Sequence, residues 1–151
     1  MRRPSIDQYM MEFARTAALR GTCPRMRVGA VIATPDGRPL VTGYNGAARG
    51  ETHCSEAGCD VRDPQDPCSR AIHAEANALY NAARFGVAVD GMRMWCTHSP
   101  CKACAKAVKN AGIRAFTYES AYPRFSPESA ALILQPLVAF SLLPAGLDAL
   151  S

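Results

Sequence analysis

Apolar positions recur at helical spacing near the start of the chain, where Ile6, Tyr9, Met10, Phe13, Ala17 and Leu19 form one stripe. Ser5 supplies a capping hydroxyl before the stripe and Gly21 a stop after it, so the pattern predicts a helix from Ser5 to Arg20. The period then changes. Residues 28–33 and 40–42 read as two short strands, and Pro35-Asp36-Gly37 between them is a turn signal, so they should form an antiparallel hairpin. From Gly43 to Ser69 the chain is polar, glycine-containing and cysteine-rich, too long for an ordinary loop unless something orders it. The alanine- and leucine-rich run from Ala71 to Arg84 lacks proline and glycine and predicts a second helix. A strand at 92–97, a helix at 101–110 and a strand at 113–118 follow, and this alternation implies parallel pairing through crossovers. Pro127 to Leu134 predicts a further helix, which Pro136 breaks, and 137–143 suits a last strand, although an apolar run alone does not decide strand from helix. No internal repeat or linker interrupts the series, which reads as a single domain over residues 1–151.

A chain of 151 residues can bury a core of its own. No stretch approaches the length of a membrane span. The basic start Met1-Arg2-Arg3-Pro4 meets Asp7 and Glu12 before any long apolar run, unlike a secretory signal. Seven cysteines are then better explained by metal ligation than by disulfides, and the expected compartment is a cytoplasm, of the cell or of an infected host. The formal charge of +4 falls to about +2 if six thiolates ligate two zinc ions. So weak a basic excess suits a small anionic ligand. It does not argue for a polynucleotide groove: Arg20, Arg25 and Arg27 cluster, but without aromatic residues on which bases could stack.

Two short motifs carry chemistry. His73-Ala74-Glu75 lies at the first turn of the helix predicted from Ala71, and Pro100-Cys101-Lys102-Ala103-Cys104 opens the next one. Zinc takes N and S donors tetrahedrally, and a catalytic site leaves one of the four positions open to water. His73, Cys101 and Cys104 supply three ligands; the two cysteines share a helix face, and helix N-termini favour thiolates. Glu75 is left unligated, as it must be if a carboxyl group is to carry protons while an activated water attacks an amidine-like ring carbon. An isolated H-x-E arises often by chance, and an isolated C-x-x-C is as readily a redox pair or half of a structural zinc site. The two together, in this order and with the proline, are far more specific.

A second cysteine set remains. Cys23, Cys54, Cys59 and Cys68 fall in turns or in the long polar segment, and four thiols make one complete structural zinc site. His53 could replace one of them; four reduced, unligated thiols are the alternative. Cys96 lies in an apolar strand and reads as a small buried hydrophobe.

Thr22-Cys23-Pro24-Arg25, Val28-Gly29-Ala30-Val31, Gly43-Tyr44-Asn45-Gly46, His53-Cys54, Gly58-Cys59 and Cys68 precede the Ile72–Ala78 block that holds His73 and Glu75. Pro100-Cys101-x-x-Cys104 and Ala111-Gly112-Ile113 follow, and the series covers positions 22 to about 122. On these residues the chain resembles the deoxycytidylate (dCMP) deaminase family of phage and bacterial type, especially the bacterial late-competence deaminases. The resemblance implies a three-layer α/β/α fold on a five-stranded mixed sheet. It implies hydrolysis of dCMP to dUMP and ammonia in pyrimidine nucleotide supply. It implies zinc on His73, Cys101 and Cys104, a proton shuttle at Glu75, a sugar-hydroxyl contact at Asn45, and a base held by the backbone around Ala74 and Ser99. A hexamer is implied as well, with an extra zinc drawn to the loop of Cys54, Cys59 and Cys68. So is an allosteric nucleotide site near Gly43–Gly46, activated by dCTP and inhibited by dTTP, with Mg accompanying the triphosphate. Two stretches depart from the family pattern. The tail from Pro127 is rich in alanine and leucine rather than charged, and Ala47-Ala48-Arg49-Gly50 lacks the proline common after Gly46.

On this reading Arg25 and Arg27 are candidates to grip the 5′-phosphate, since guanidinium matches phosphate geometry, although each alone fits an ordinary solvated arginine. Tyr118 and Tyr122 bracket a loop that could close over a substrate or could merely pack. Lys106 reads as a surface charge, and His98 as either a pocket wall or a satisfied loop histidine. A 5-modified dCMP or another free nucleotide fits the same motifs. A non-catalytic binding module on a deaminase scaffold fits less well, because zinc binding alone has no need of Glu75.

Overall fold

Five helices and seven strands alternate along residues 2–61 and 68–144, the residues that the computed structural model describes. Residues 62–67 of the cysteine-rich segment and residues 145–151 lie outside them. Helix α1 (Ile6–Ala18) begins at a capping box: Ser5 Oγ accepts from the Gln8 N–H, and Gln8 accepts in return from the Ser5 N–H. Strands β1 (Gly29–Ala33) and β2 (Pro39–Tyr44) form the expected antiparallel hairpin. On its other side β1 pairs antiparallel with β5 (Arg93–His98). Strand β5 then pairs parallel with β6 (Ala115–Ser120), and β6 parallel with β7 (Ala139–Leu142). The order β2-β1-β5-β6-β7 is the five-stranded mixed sheet that the resemblance implied. The ambiguous run 137–143 resolves as a strand through its pairing with β6.

Strand alternation sorts the core into two layers. Ala30, Ile32, Met94, Cys96, Phe116 and Tyr118 face α3 (Ala74–Phe85), α4 (Lys102–Asn110) and α5 (Pro127–Leu134), where Ala78, Val108 and Leu134 meet them. Val31, Ala33 and Trp95 face the opposite way, under Met10, Met11 and Ala14 of α1. The result is α/β/α with a single helix on one side. Trp95 is completely buried, and its indole N–H donates to Asp7 Oδ1 at 2.9 Å, so the polar atom of this large side chain is satisfied. Among the described residues no helix is long and apolar enough to cross a membrane.

Three local expectations need correction. The helix predicted from Ala71 starts at Ala74; Ala71 and Ile72 instead form β4, paired with β3 (Gly46–Ala47). His73 is therefore the N-cap and not a residue of the first turn. The helix predicted from Cys101 likewise starts at Lys102, with Cys101 as its N-cap. The polar segment after Gly43 is not all loop, since it holds β3 and the short helix α2 (Cys54–Ala57). As far as residue 144 the tail, despite its unusual composition, packs as a helix and an outer strand. Lys109 Nζ donates to the carbonyls of Ile133 and Gln135 at 2.9 and 3.1 Å, satisfying groups that the end of α5 leaves without helical partners.

Two glycines let helices lie directly on the sheet. A Cβ on Gly29 would sit 2.0 Å from the carbonyl oxygen of Ala14 in α1. A Cβ on Gly43 would sit 2.3 Å from Ala78 N and 2.4 Å from Ala74 O in α3. The close seat of α3 is reinforced by Asn77 and Asn81, whose side-chain amides donate to the carbonyls of Tyr44 and Thr42 in β2 at 2.8 and 2.9 Å. This seating fixes where α3 begins, and hence where His73 and Glu75 project.

Candidate active site

A cavity of about 260 Å³ opens at the carboxyl ends of the parallel strands β5 and β6, the usual ligand position in open α/β sheets. Its walls come from residues before β1 (Cys23, Arg25, Met26 and Val28), Asn45 after β2, the start of α3, His98 and Ser99 after β5, and Tyr122 to Arg124 after β6. Residues far apart in sequence thus meet because hairpin, crossovers and helix starts all return to one end of the sheet.

The ligand atoms of His73, Cys101 and Cys104 lie within 4.8 Å of one another, and His73 Nδ1 is 3.7 Å from Cys104 Sγ. Both N-caps serve here: α3 presents His73, and α4 presents Cys101, whose Sγ accepts from the Cys104 N–H at 3.4 Å. The Cys101 thiol is held down to about 4, first by its hydrogen bond with Cys104, with burial opposing and His73 assisting. Cys104 is pushed strongly the other way, first by its hydrogen bond with Cys101 and then by burial, with the charges of Glu75 and Cys101 adding to the rise. A divalent cation would let both ionise together, so the donor set fits zinc: one imidazole and two thiolates, with a fourth position left for water.

Glu75 is 4% exposed and lies in the first turn of α3, beside these donors. Burial is the main reason its carboxyl is pushed up to about 7, with the nearby His73 acting against the rise. Ala74 is fully buried and is the first residue of α3, where backbone N–H groups lack helical acceptors. Ser99 is buried too, but both its N–H and its Oγ are in use: the N–H donates to Ser120 O at 2.9 Å, and Oγ accepts from the Tyr122 N–H at 2.8 Å. Ser99 thereby ties the loop after β6 to the end of β5. Asn45 is similarly structural on one edge. Its Oδ1 accepts from the Val28 N–H at 2.9 Å and its Nδ2 donates to Met26 O at 2.7 Å, which leaves one amide hydrogen for a ligand.

The two arginines singled out in the sequence part company. Both are exposed, but Arg25 is on the cavity wall and Arg27 does not line it. A cation that the sequence reading passed over, Arg124, faces the cavity from the loop after β6. Nothing in its local sequence marks it; only the parallel pairing of β5 and β6 brings it to the site. Tyr122 lines the cavity and meets the His73 ring edge-on, with centroids 6.0 Å apart, while Tyr118 is buried and stacks on Phe140 at 4.9 Å. Lys106 is exposed on α4, outside the cavity.

The second cysteine set is also brought together. None of the seven cysteines is in a disulfide, and the Sγ atoms of Cys54, Cys59 and Cys68 lie within 4.8 Å of one another, with Cys54 and Cys68 at 3.5 Å. Burial, then the hydrogen bond with Cys68, pushes Cys54 up to about 11, and Cys59 and Cys23 act in the same direction. Cys68 is lowered: burial opposes ionisation, but backbone donors at Arg70, Asp60 and Ala71 outweigh it. Cys23 stands outside the tight group, though near enough to act on Cys54. His53 Nδ1 and Thr22 Oγ1 are both buried without a hydrogen-bond partner beside Gly46.

Comparison with known proteins agrees with this geometry. Residues 4–120 match the family model described as the cytidine and deoxycytidylate deaminase zinc-binding region. ComE operon protein 2 of Bacillus subtilis (strain 168) is 44% identical over 122 residues, covering 81% of this chain and 63% of that protein. The deoxycytidylate deaminase of Schizosaccharomyces pombe is 37% identical over 126 residues, covering 80% of this chain and 38% of the yeast protein. The chain thus spans less than two thirds of either curated relative. The dCMP deaminase of cyanophage S-TIM5, solved with dCMP and dUMP, is covered completely, with 95% of this chain matched, 31% identity and a TM-score of 0.78. A family model spanning most of the chain, with His73, Glu75, Cys101 and Cys104 inside it, places this protein in the cytidine and deoxycytidylate deaminase zinc-binding family.

Proposed function

We propose that the chain hydrolyses dCMP to dUMP and ammonia with zinc held by His73, Cys101 and Cys104. The observation that carries this reading is the position of Glu75, a buried and unligated carboxyl group on the same cavity wall as the three converging donors. When bound, zinc supplies the Lewis acidity that makes water nucleophilic near neutral pH. Glu75 handles the protons: it takes one from the attacking water, delivers it to the ring nitrogen, and assists protonation of the exocyclic nitrogen. The C4–O bond forms, the C4–N bond breaks, and nitrogen leaves as ammonia rather than as an amide ion. The Ala74 N–H at the start of α3 holds the base on this reading, and the remaining amide hydrogen of Asn45 holds a sugar oxygen. Arg25 and Arg124, on separate loops of one cavity, form a two-sided grip for the 5′-phosphate.

The reading extends to a second, structural zinc on Cys54, Cys59 and Cys68, with Cys23 or His53 as the fourth ligand. Close packing of three thiols and the orphaned His53 Nδ1 support it. A hexamer with a dCTP/dTTP effector site and its Mg follows from the resemblance alone. The deciding experiment supplies zinc-loaded chain with a panel of nucleosides, monophosphates and triphosphates and measures ammonia. Release from dCMP well above that from deoxycytidine is expected; release from the nucleoside alone would remove the phosphate grip, and release from a 5-modified dCMP alone would reassign the base.

A further inference from the structure

His98 stands at the end of β5, half-buried, on the wall of the active cavity. Its Nδ1 is 3.0 Å from Thr97 Oγ1. Thr97 is 5% exposed, and the same Oγ1 also accepts from the Gly29 N–H at 3.2 Å. Among the described residues these are the partners of that hydroxyl. A threonine hydroxyl has one hydrogen to give. If the ring donated through Nδ1, this buried hydrogen would be left without an acceptor, a costly arrangement. Satisfying all three groups at once requires Gly29 N–H to donate to Oγ1 and Oγ1 to donate to Nδ1. The ring proton must then sit on Nε2. Burial also favours the neutral ring, against the opposing charge of Glu119.

Resting on the proposed activity, we propose that His98 is a specificity-determining residue: a ring locked by Thr97 as the Nε2–H tautomer, donating to an oxygen of the bound pyrimidine nucleotide. Thr97 is its positioning residue. A locked donor accepts an oxygen and rejects a substrate N–H, so it also restricts which edge of the nucleotide can face that wall. No short-range signal marks this arrangement, because the third partner, Gly29, comes from β1.

Two measurements on zinc-loaded full-length chain test it. Without substrate, long-range ¹⁵N–¹H correlation should show His98 protonated at Nε2; Thr97→Ser should keep that state and Thr97→Val should mix the tautomers. A ring carrying its proton on Nδ1, or doubly protonated at neutral pH, overturns the proposal. In turnover, His98→Leu should raise KM for dCMP by about tenfold with kcat little changed, the mark of a contact made equally in ground and transition states. His98→Gln, which restores an N–H donor, should recover most of the loss. An unaltered KM in His98→Leu, or no recovery in His98→Gln, rejects the contact. Repeating the series with deoxycytidine locates the oxygen: an equal rise means base or sugar, and a rise confined to dCMP means phosphate. If the native chain releases no ammonia from dCMP, the proposed activity fails on its own, while the tautomer is still measured and the His98→Leu arm is read as dCMP affinity.

Discussion

Glu75 is buried beside the three candidate zinc ligands, so its replacement can separate proton transfer from folding. Glu75→Gln keeps the shape and removes the transferable proton. We expect zinc content and melting temperature close to the native values and a fall in turnover on the order of 10²-fold or more, read by ammonia release. Unchanged turnover would falsify the assigned role. His73, Glu75, Cys101 and Cys104 were legible in the chain because the spacing inside each pair is set by a single helix start. Arg124 was not, because its loop reaches the cavity only through strand pairing. Arg25 and Arg27 looked equivalent in the sequence; both are exposed, but only the first lines the cavity. Asn45 and Ser99 have a further duty that motif reading does not reveal, since their polar atoms stitch the cavity's own backbone together.

At the level of elements, the seat of α3 on β2 decides the geometry of the zinc donors. Gly43→Ala would drive a methyl group to within 2.3 Å of the α3 backbone, where no side-chain rotation relieves it. We expect a loss of about 1–3 kcal/mol in unfolding free energy, as for other overpacked sites, together with weaker zinc retention. Denaturant titration and metal analysis of the same preparation check both; a stable variant with full zinc would mean that α3 can shift without moving His73. The helices and sheet strands were mostly readable from period and turn chemistry. The error at Ala71–Ile72 has a clear cause. Nothing there breaks a helix, and the two residues become a strand only by pairing with Gly46 and Ala47, a contact that local pattern cannot register. The last strand was undecidable for the same reason, because its pairing with β6 arrives from outside.

For the whole molecule, the two cysteine sets differ in what surrounds them. The proposed catalytic donors rest on the starts of α3 and α4 over the larger core layer, whereas Cys54, Cys59 and Cys68 belong to a segment with little apolar burial of its own. On the proposed loading, the native chain should bind two zinc ions and the Cys54→Ser/Cys59→Ser variant one, with a lower melting temperature; a native content of one removes the second site. Cys68 of this cluster lines the cavity, and so does Cys23, which stands outside the tight group but near enough to act on Cys54. On that loading, losing the ion from the cysteine cluster would loosen a wall of the cavity as well as the segment that carries the cluster.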